Sequence, residues 1–217
     1  MDIKAFIFDL DGVITDTAEL HYRAWTQLAQ EEGLTFSREI NERLRGVTRR
    51  VSLQIMLDES GRTIDEATAE MWMTRKNEAY RATLHDLTPA DVLPGVAEFL
   101  HEARAAGLKI GLGSASRNAR DVLTSLQLLD AFDTIGDGNS VVNSKPAPDL
   151  FVWVAGALGV SPAVGVVFED AEAGVEAALA GGFRVVGLGT ANVEKAHLVA
   201  SGIASLTVAE ILHRLSE

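Results

Sequence analysis

The chain has 217 residues, 47% hydrophobic and 23% charged, a composition that supports a packed soluble core and excludes a disordered chain. The formal net charge of −12 excludes a general nucleic-acid binder, which needs a basic face for phosphates, and requires that any anionic ligand find a locally positive site. With no cysteine, a disulfide framework, a thiolate metal site and a thiol nucleophile are excluded.

Taken in chain order, "MDIKAFIF" lacks the long apolar core of a signal peptide. The longest greasy run, "FVWVAGALGV" at 151–160, is about half of the ~20 residues that a membrane span needs. A cytoplasmic, monomeric protein without a membrane or nucleic-acid partner is therefore expected. "AFIF" (5–8) is a buried strand pattern that ends in Asp9 and Asp11. Residues 15 to about 88 then hold little that reads as strand. "TAELHYRAWTQLAQEEG", with Trp25, Leu28 and Ala29 on one side, "RVSLQIMLDES" and "TIDEATAEMWMTRKNEAYRATLHDL" are helical. Met56, Met71 and Met73 are expected to pack inside this insert. Pro89 and Pro94 flank a linker.

Beyond the linker, Val96, Phe99, Leu100 and Ala103 follow helical spacing, as do Val122, Leu123 and Leu126, and Val175, Ala178 and Leu179. Between these helices lie the strand-length runs "KIGLG" (109–113), "VGVVF" (164–168) and "RVVGLG" (184–189). Gly107 and Gly181-Gly182 suit helix ends. Alternating strands and helices predict a doubly wound parallel α/β core, Rossmann-like, over 1–14 and 90–217, with an inserted helical cap over 15–89.

In open parallel sheets, ligands bind at the carboxyl ends of the strands. Polar clusters fall at such places here: Asp9 and Asp11 after "AFIF", "SASRN" (114–118) after "KIGLG", and Glu169-Asp170 after "VGVVF". Lys145, in "NSKPAPD", stands just before a helix pattern. Together they predict one shared site. Crowded carboxylates repel unless a cation sits among them, and oxygen-only ligands with room for water suit Mg²⁺ better than zinc. Such a cation and Lys145 would attract a phosphate, as would backbone N–H groups of "SASRN". Asp9, at the strand tip, is then the natural nucleophile for phosphoryl transfer through an aspartyl-phosphate. The period-two rule points Asp11 the same way.

"DLDGVITDT", the Ser114 strand end, "SKPAPD" and "FEDAEAG", present in that order, resemble the motifs of the haloacid dehalogenase superfamily, and the insert position resembles its helical-cap subgroup. "DGVITDTAELHYRAW", "RGVTR", "RKNEAY", "SASRN" and "SKPAPD" are further similar to the β-phosphoglucomutase group within it. The resemblance covers the whole chain. It implies Asp9 as nucleophile and Mg²⁺ ligand, and Asp11 as general acid/base with its backbone carbonyl on the metal. Glu169 and Asp170 complete or support the metal site. Ser114, the Ala115 N–H and Lys145 hold the transferring phosphate, while Arg49, Ser116, Arg117 and Asn118 hold a second, non-reacting one. Thr17, His21 and Lys76 link cap closure to Asp11, and Trp25, Gly46 and Ser52 line a sugar pocket. Without the resemblance, Arg49-Arg50 reads as a solvated pair and Trp25 as packing.

What the resemblance implies is interconversion of β-glucose 1-phosphate and glucose 6-phosphate, with glucose 1,6-bisphosphate as the activating intermediate. A Mg²⁺-dependent sugar-phosphate phosphatase, or a mutase for another sugar phosphate, is the alternative. Arg50 stands where close relatives often carry an acidic residue, Arg117 where lysine is common, and "IGDGNSVVNS" matches loosely.

Overall fold

The computed structural model describes residues 2–189 and 192–216. Strand β1 (Ala5–Phe8) is buried along its whole length, as a central parallel strand covered on both faces must be. The chain then leaves the sheet for helices α1 (Ala18–Glu32), α2 (Arg38–Glu42), α3 (Arg49–Glu59) and α4 (Glu66–Thr83). Their starts are set by local chemistry: Ser37, Thr48 and Asp65 accept backbone N–H groups from the first turns of α2, α3 and α4. Gly33, in the left-handed region, closes α1. Trp25, Leu28, Leu53, Met56, Trp72 and Met73 belong to a buried cluster that these helices make among themselves. Tyr80 and Ala24 instead join the core beneath, which seats the helical insert on the sheet layer.

The rest of the chain alternates. Helix α5 (Val96–Ala105) leads to β2 (Lys109–Gly113), α6 (Ala119–Ser125) to β3 (Thr134–Gly136), and α7 (Asp149–Leu158) to β4 (Gly165–Glu169). Helix α8 (Glu172–Ala180), β5 (Arg184–Leu188), β6 (Leu198–Ala200) and α9 (Val208–Leu215) follow. The strands form one six-stranded sheet in the order β3-β2-β1-β4-β5-β6, and every pairing is parallel. The anticipated α/β class is the one observed.

Period-two alternation sorts the strand side chains onto two faces. Phe6, Phe8 and Phe168 pack on Phe99 of α5, with the Phe8 and Phe168 rings stacked 4.6 Å apart. Ala5, Ile7 and Val167 face Phe151 and Val154 of α7 and Val175 of α8. Burying side chains of this size is worth roughly 1.5–3 kcal/mol each. Strand order reverses between β1 and β4, so the crevice that such a reversal opens lies at the carboxyl ends of these two strands.

Several elements differ from expectation. Strands β3 and β6 and helix α2 carry no readable period in the sequence. Met71 lies on the outer side of α4 and is 52% exposed, so it is not part of the cap packing with Met56 and Met73. Among the described residues, no helix is long and apolar enough to cross a membrane.

Candidate active site

Register builds the site. Phe8 pairs with Phe168, and the Asp9 N–H continues the ladder to the Phe168 carbonyl at 3.0 Å. Asp9 and Glu169 therefore leave neighbouring strands side by side. Carboxylate oxygens of Asp9, Glu169 and Asp170 all lie within 4.8 Å of one another. Lys145 threads between them from the segment before α7: its Nζ donates to Asp9 Oδ1 at 2.5 Å and to Glu169 Oε2 at 2.8 Å. The ammonium also lies 4.6 Å from the centre of the Phe151 ring. The Lys145 and Glu169 side chains are fully buried and Asp9 nearly so, which makes this a dry cluster with more carboxylates than ammonium groups.

That excess has a titration signature. Burial first, then the charge of Asp9, pushes Asp11 up to about 7 and Glu169 up to about 8. Asp170 is pushed up to about 6, by burial against the opposing pull of Arg45. The buried Lys145 ammonium is held protonated by Asp9 and Glu169, which outweigh its desolvation. A divalent cation among Asp9, Glu169 and Asp170 relieves this repulsion, and an all-oxygen donor set fits a hard ion such as Mg²⁺. The backbone makes room for the cluster at two glycines. Gly12 has φ +83°, and a Cβ on it would fall 2.0 Å from Asp170 Oδ2; a Cβ on Gly174 would fall 2.0 Å from the Glu169 carboxyl carbon.

Asp11 reaches the site by a different route from the strand alternation inferred for it. The strand stops at Phe8, and Leu10 to Thr15 form a turn in which the Gly12 N–H bonds the Thr15 carbonyl at 2.8 Å and the Thr15 N–H bonds the Leu10 carbonyl at 3.2 Å. The turn, not the pleat, aims Asp11. Its carboxylate accepts the hydroxyl of Thr17 and lies outside the group of three acidic residues that converge.

A cavity of about 710 Å³ opens between the carboxyl ends of the central strands and the helical insert. Asp9, Asp11, Lys145 and Asp170 line one part, joined by Ala115, Ser116, Arg117 and Asn118 from the loop after β2. His21, Trp25, Gly46, Arg49, Ser52 and Lys76 line it from the insert. Thr17, Ser114 and Glu169 are buried behind this wall rather than in it. The Ser114 hydroxyl accepts the Ser116 N–H at 3.1 Å, and the Ser116 hydroxyl accepts the Asn118 N–H at 3.2 Å. These two N–H groups are thereby satisfied within the loop, whereas no acceptor among the described residues meets that of Ala115.

On the insert side, Lys76 Nζ lies 2.7 Å from His21 Nδ1 and 4.9 Å from the centres of the Trp25 and Tyr80 rings. His21 stacks on Tyr80 at 4.0 Å. Burial, reinforced by neighbouring cations, pushes both His21 and Lys76 toward their neutral forms. Trp25 is only 2% exposed, so it packs in the helical cluster and offers the cavity no more than an edge. The Ser52 hydroxyl donates to the Thr48 carbonyl at 3.1 Å within its own helix.

Arg49 from the insert and Arg117 from the loop after β2 line the same cavity. Arg49 is pulled below the ordinary guanidinium value by burial first and by the Arg117 charge second. Two guanidinium groups in one cavity, neither ion-paired with a carboxylate among the described residues, suit an anion. Arg50, by contrast, is ion-paired with Glu66 and Glu70.

The model of the haloacid dehalogenase-like hydrolase family matches residues 3–182. The chain belongs to that family. Within it, the chain is 42% identical to β-phosphoglucomutase of Bacillus subtilis (strain 168), over 97% of this chain and 94% of that one. It is 33% identical to the phosphorylated carbohydrates phosphatase of Thermotoga maritima, over 99% of both chains. The crystal structure of β-phosphoglucomutase from Clostridium difficile superposes with a TM-score of 0.95 at 38% identity, covering 99% of this chain and 97% of that one.

Two further residues of this haloacid dehalogenase-like site had no signal in the sequence. Arg45, between α2 and α3, pairs with Asp170. Asn77 on α4 accepts from Arg49 Nη2 at 2.7 Å and from Asn118 Nδ2 at 2.8 Å. Asn77 adjoins Lys76 inside "RKNEAY", and that proximity was the only available hint.

Proposed function

We propose that the chain is a phosphomutase that moves a phosphoryl group between the 1- and 6-positions of β-glucose, through glucose 1,6-bisphosphate and an aspartyl-phosphate on Asp9. Residues 15–89 act as the cap and 1–14 with 90–217 as the core. The observation that carries this reading is one cavity with two unlike anion-binding ends, Asp9-Lys145 with its carboxylate cluster and Arg49-Arg117. A phosphatase needs only the first. A mutase must accept both ends of a bisphosphate at both places.

In the forward half, an Asp9 carboxylate oxygen attacks phosphorus, the bond from phosphorus to the sugar oxygen breaks, and that oxygen takes the proton of Asp11. In the return half, Asp11 removes the proton from the free hydroxyl of a sugar monophosphate as that oxygen attacks the phosphorus on Asp9; the Asp9–phosphorus bond breaks, and the bisphosphate that feeds the forward half is formed. A carboxyl group near pH 7 in its titration serves in both directions. Asp9, Glu169, Asp170 and the Asp11 carbonyl would hold Mg²⁺, which supplies charge neutralisation around the transferring group. Lys145 neutralises the same group from the protein side, with Ser114 and the Ala115 N–H. Arg49, Ser116, Arg117 and Asn118 hold the resting phosphate. Thr17, His21 and Lys76 tie the cap to Asp11, and Trp25, Gly46 and Ser52 bound the sugar.

The test is incubation with β-glucose 1-phosphate, Mg²⁺ and a catalytic amount of glucose 1,6-bisphosphate. Glucose 6-phosphate as the main product is expected. Free phosphate as the main product would assign the chain to the sugar-phosphate phosphatases instead.

A further inference from the structure

Between Arg49 and the core stands a residue to which the mechanism above gives no part. Asn77 Oδ1 accepts from Arg49 of the cap at 2.7 Å and from Asn118 of the core at 2.8 Å. A guanidinium can only donate, so the atom facing Arg49 has to be the amide oxygen, and Asn118 then has to present its NH₂. Both lone pairs of that oxygen are in use. One neutral atom thus fixes Arg49 and joins it to the loop that carries Arg117.

Neutrality is the informative part. A carboxylate at this position would hold Arg49 more tightly, through a charge-assisted bond, but would cancel the charge that Arg49 offers the cavity. The nearby Glu70, which also lines the cavity, is engaged by Arg50 at 2.7 Å, and Arg50 holds Glu66 as well. Arg50 thereby holds Glu70, whose charge also acts on Arg49, in an ion pair of its own. What remains is a half-buried guanidinium anchored by an amide, in a cavity that the exposed Arg117 also lines.

We infer that Asn77 is the positioning residue of the second anion site: it holds Arg49 in the cavity that Arg117 also lines without neutralising it, and completes the site only when the cap rests on Asn118. The inference rests on the two-phosphate reading of the cavity. Its test reads binding rather than turnover, so the two fail separately. Glucose 1,6-bisphosphate and inorganic phosphate, each with Mg²⁺, are titrated into the Asp9→Asn protein, which does not consume them. The titrations are repeated with Asn77→Ala or Asn77→Asp added.

The ratio of bisphosphate to phosphate affinity is expected to fall roughly tenfold with Asn77→Ala and on the order of a hundredfold with Asn77→Asp. The order of the two variants is the discriminating feature. Asp matches Asn in shape and keeps both acceptor bonds, so a packing role makes it the milder change, whereas an anion-site role makes it the more severe. A ratio unchanged in both variants, or retained in Asn77→Asp and lost in Asn77→Ala, overturns the inference. If the wild-type chain forms no glucose 6-phosphate but the ratio collapses in the expected order, the proposed reaction falls and the role of Asn77 stands.

Discussion

Arg45 of the helical insert and Asp170 at the carboxyl end of β4 form an ion pair across 125 residues of sequence. The Asp170 side chain is 8% exposed and that of Arg45 is 37% exposed, so the pair lies at the mouth of the carboxylate cluster. The guanidinium brings positive charge to a carboxylate that would also face a bound cation. Arg45→Ala is therefore expected to tighten Mg²⁺ binding. Because Arg45 is partly solvated, the effect is modest, about 1 kcal/mol or roughly fivefold in Kd. Calorimetric titration of metal-free protein at low ionic strength measures it, and the gain should shrink in high salt. Unchanged or weaker Mg²⁺ binding would show that Arg45 does not compete for Asp170.

The same cluster sets a pH dependence for the metal-free protein. Asp170, Asp11 and Glu169 are raised to about 6, 7 and 8, with burial the largest cause in each. Carboxyl groups in an unfolded chain titrate near 4. Between about pH 4 and 8 the folded protein thus binds more protons than the unfolded one, and stability falls as pH rises through that window. In EDTA, Tm is expected to drop by roughly 5–10 °C from pH 5 to pH 8. Mg²⁺ should restore it, with the larger recovery at pH 8, where the carboxylates are ionised. Melting curves at both pH values decide the point; a Tm in EDTA that holds or rises across the window contradicts the charge excess.

Much of this arrangement is legible in the sequence. Strands β1, β2, β4 and β5 are flanked by other strands and buried on both faces, so they appear as unbroken apolar runs whose ends mark Asp9, Ser114 and Glu169. Strands β3, "TIG", and β6, "LVA", are too short for a period to register, and α2 buries only Ile40 in a polar stretch. Asp11 is legible as a site residue through its motif, but its aim is not, because the turn at Gly12 replaces the pleat. Arg45 and Asn77 carry no pattern: each is one polar residue in polar surroundings, and its meaning comes from partners 125 and 41 residues away.

Asp11→Asn separates acid/base chemistry from site assembly. The Thr17 hydroxyl donates to the Asp11 carboxylate, and an amide oxygen can accept the same bond, so the turn and fold are expected to survive. The amide cannot exchange a proton at neutral pH. Sugar-phosphate turnover is expected to fall about 10²–10⁴-fold, with the melting temperature little altered. Steady-state rates beside a thermal melt measure both. Near-normal turnover would remove Asp11 from the proton-transfer role.

Gly174→Ala and Gly156→Ala set the same substitution in two helices and predict opposite signs. In a helix interior, Gly is worth about 0.5–1 kcal/mol less than Ala, so propensity alone favours both changes. At Gly156, on the exposed side of α7, an added Cβ meets nothing within 4 Å, and the gain should appear in full. At Gly174 the Cβ would lie 2.0 Å from the Glu169 carboxyl carbon and 2.1 Å from its Oε2. Glu169 has no easy retreat: it is fully buried, Lys145 holds Oε2 at 2.8 Å, and the Ala171 N–H holds Oε1 at 3.1 Å. Overpacking costs typically about 1–3 kcal/mol, which exceeds the propensity gain, and a displaced Glu169 also loosens its contact with Lys145. Urea denaturation should find Gly156→Ala more stable than wild type and Gly174→Ala less stable, with weakened Mg²⁺ binding in the latter alone. Stabilisation by Gly174→Ala with unchanged Mg²⁺ affinity would mean that Glu169 has room to move and is not pinned by the floor that α8 forms beneath it.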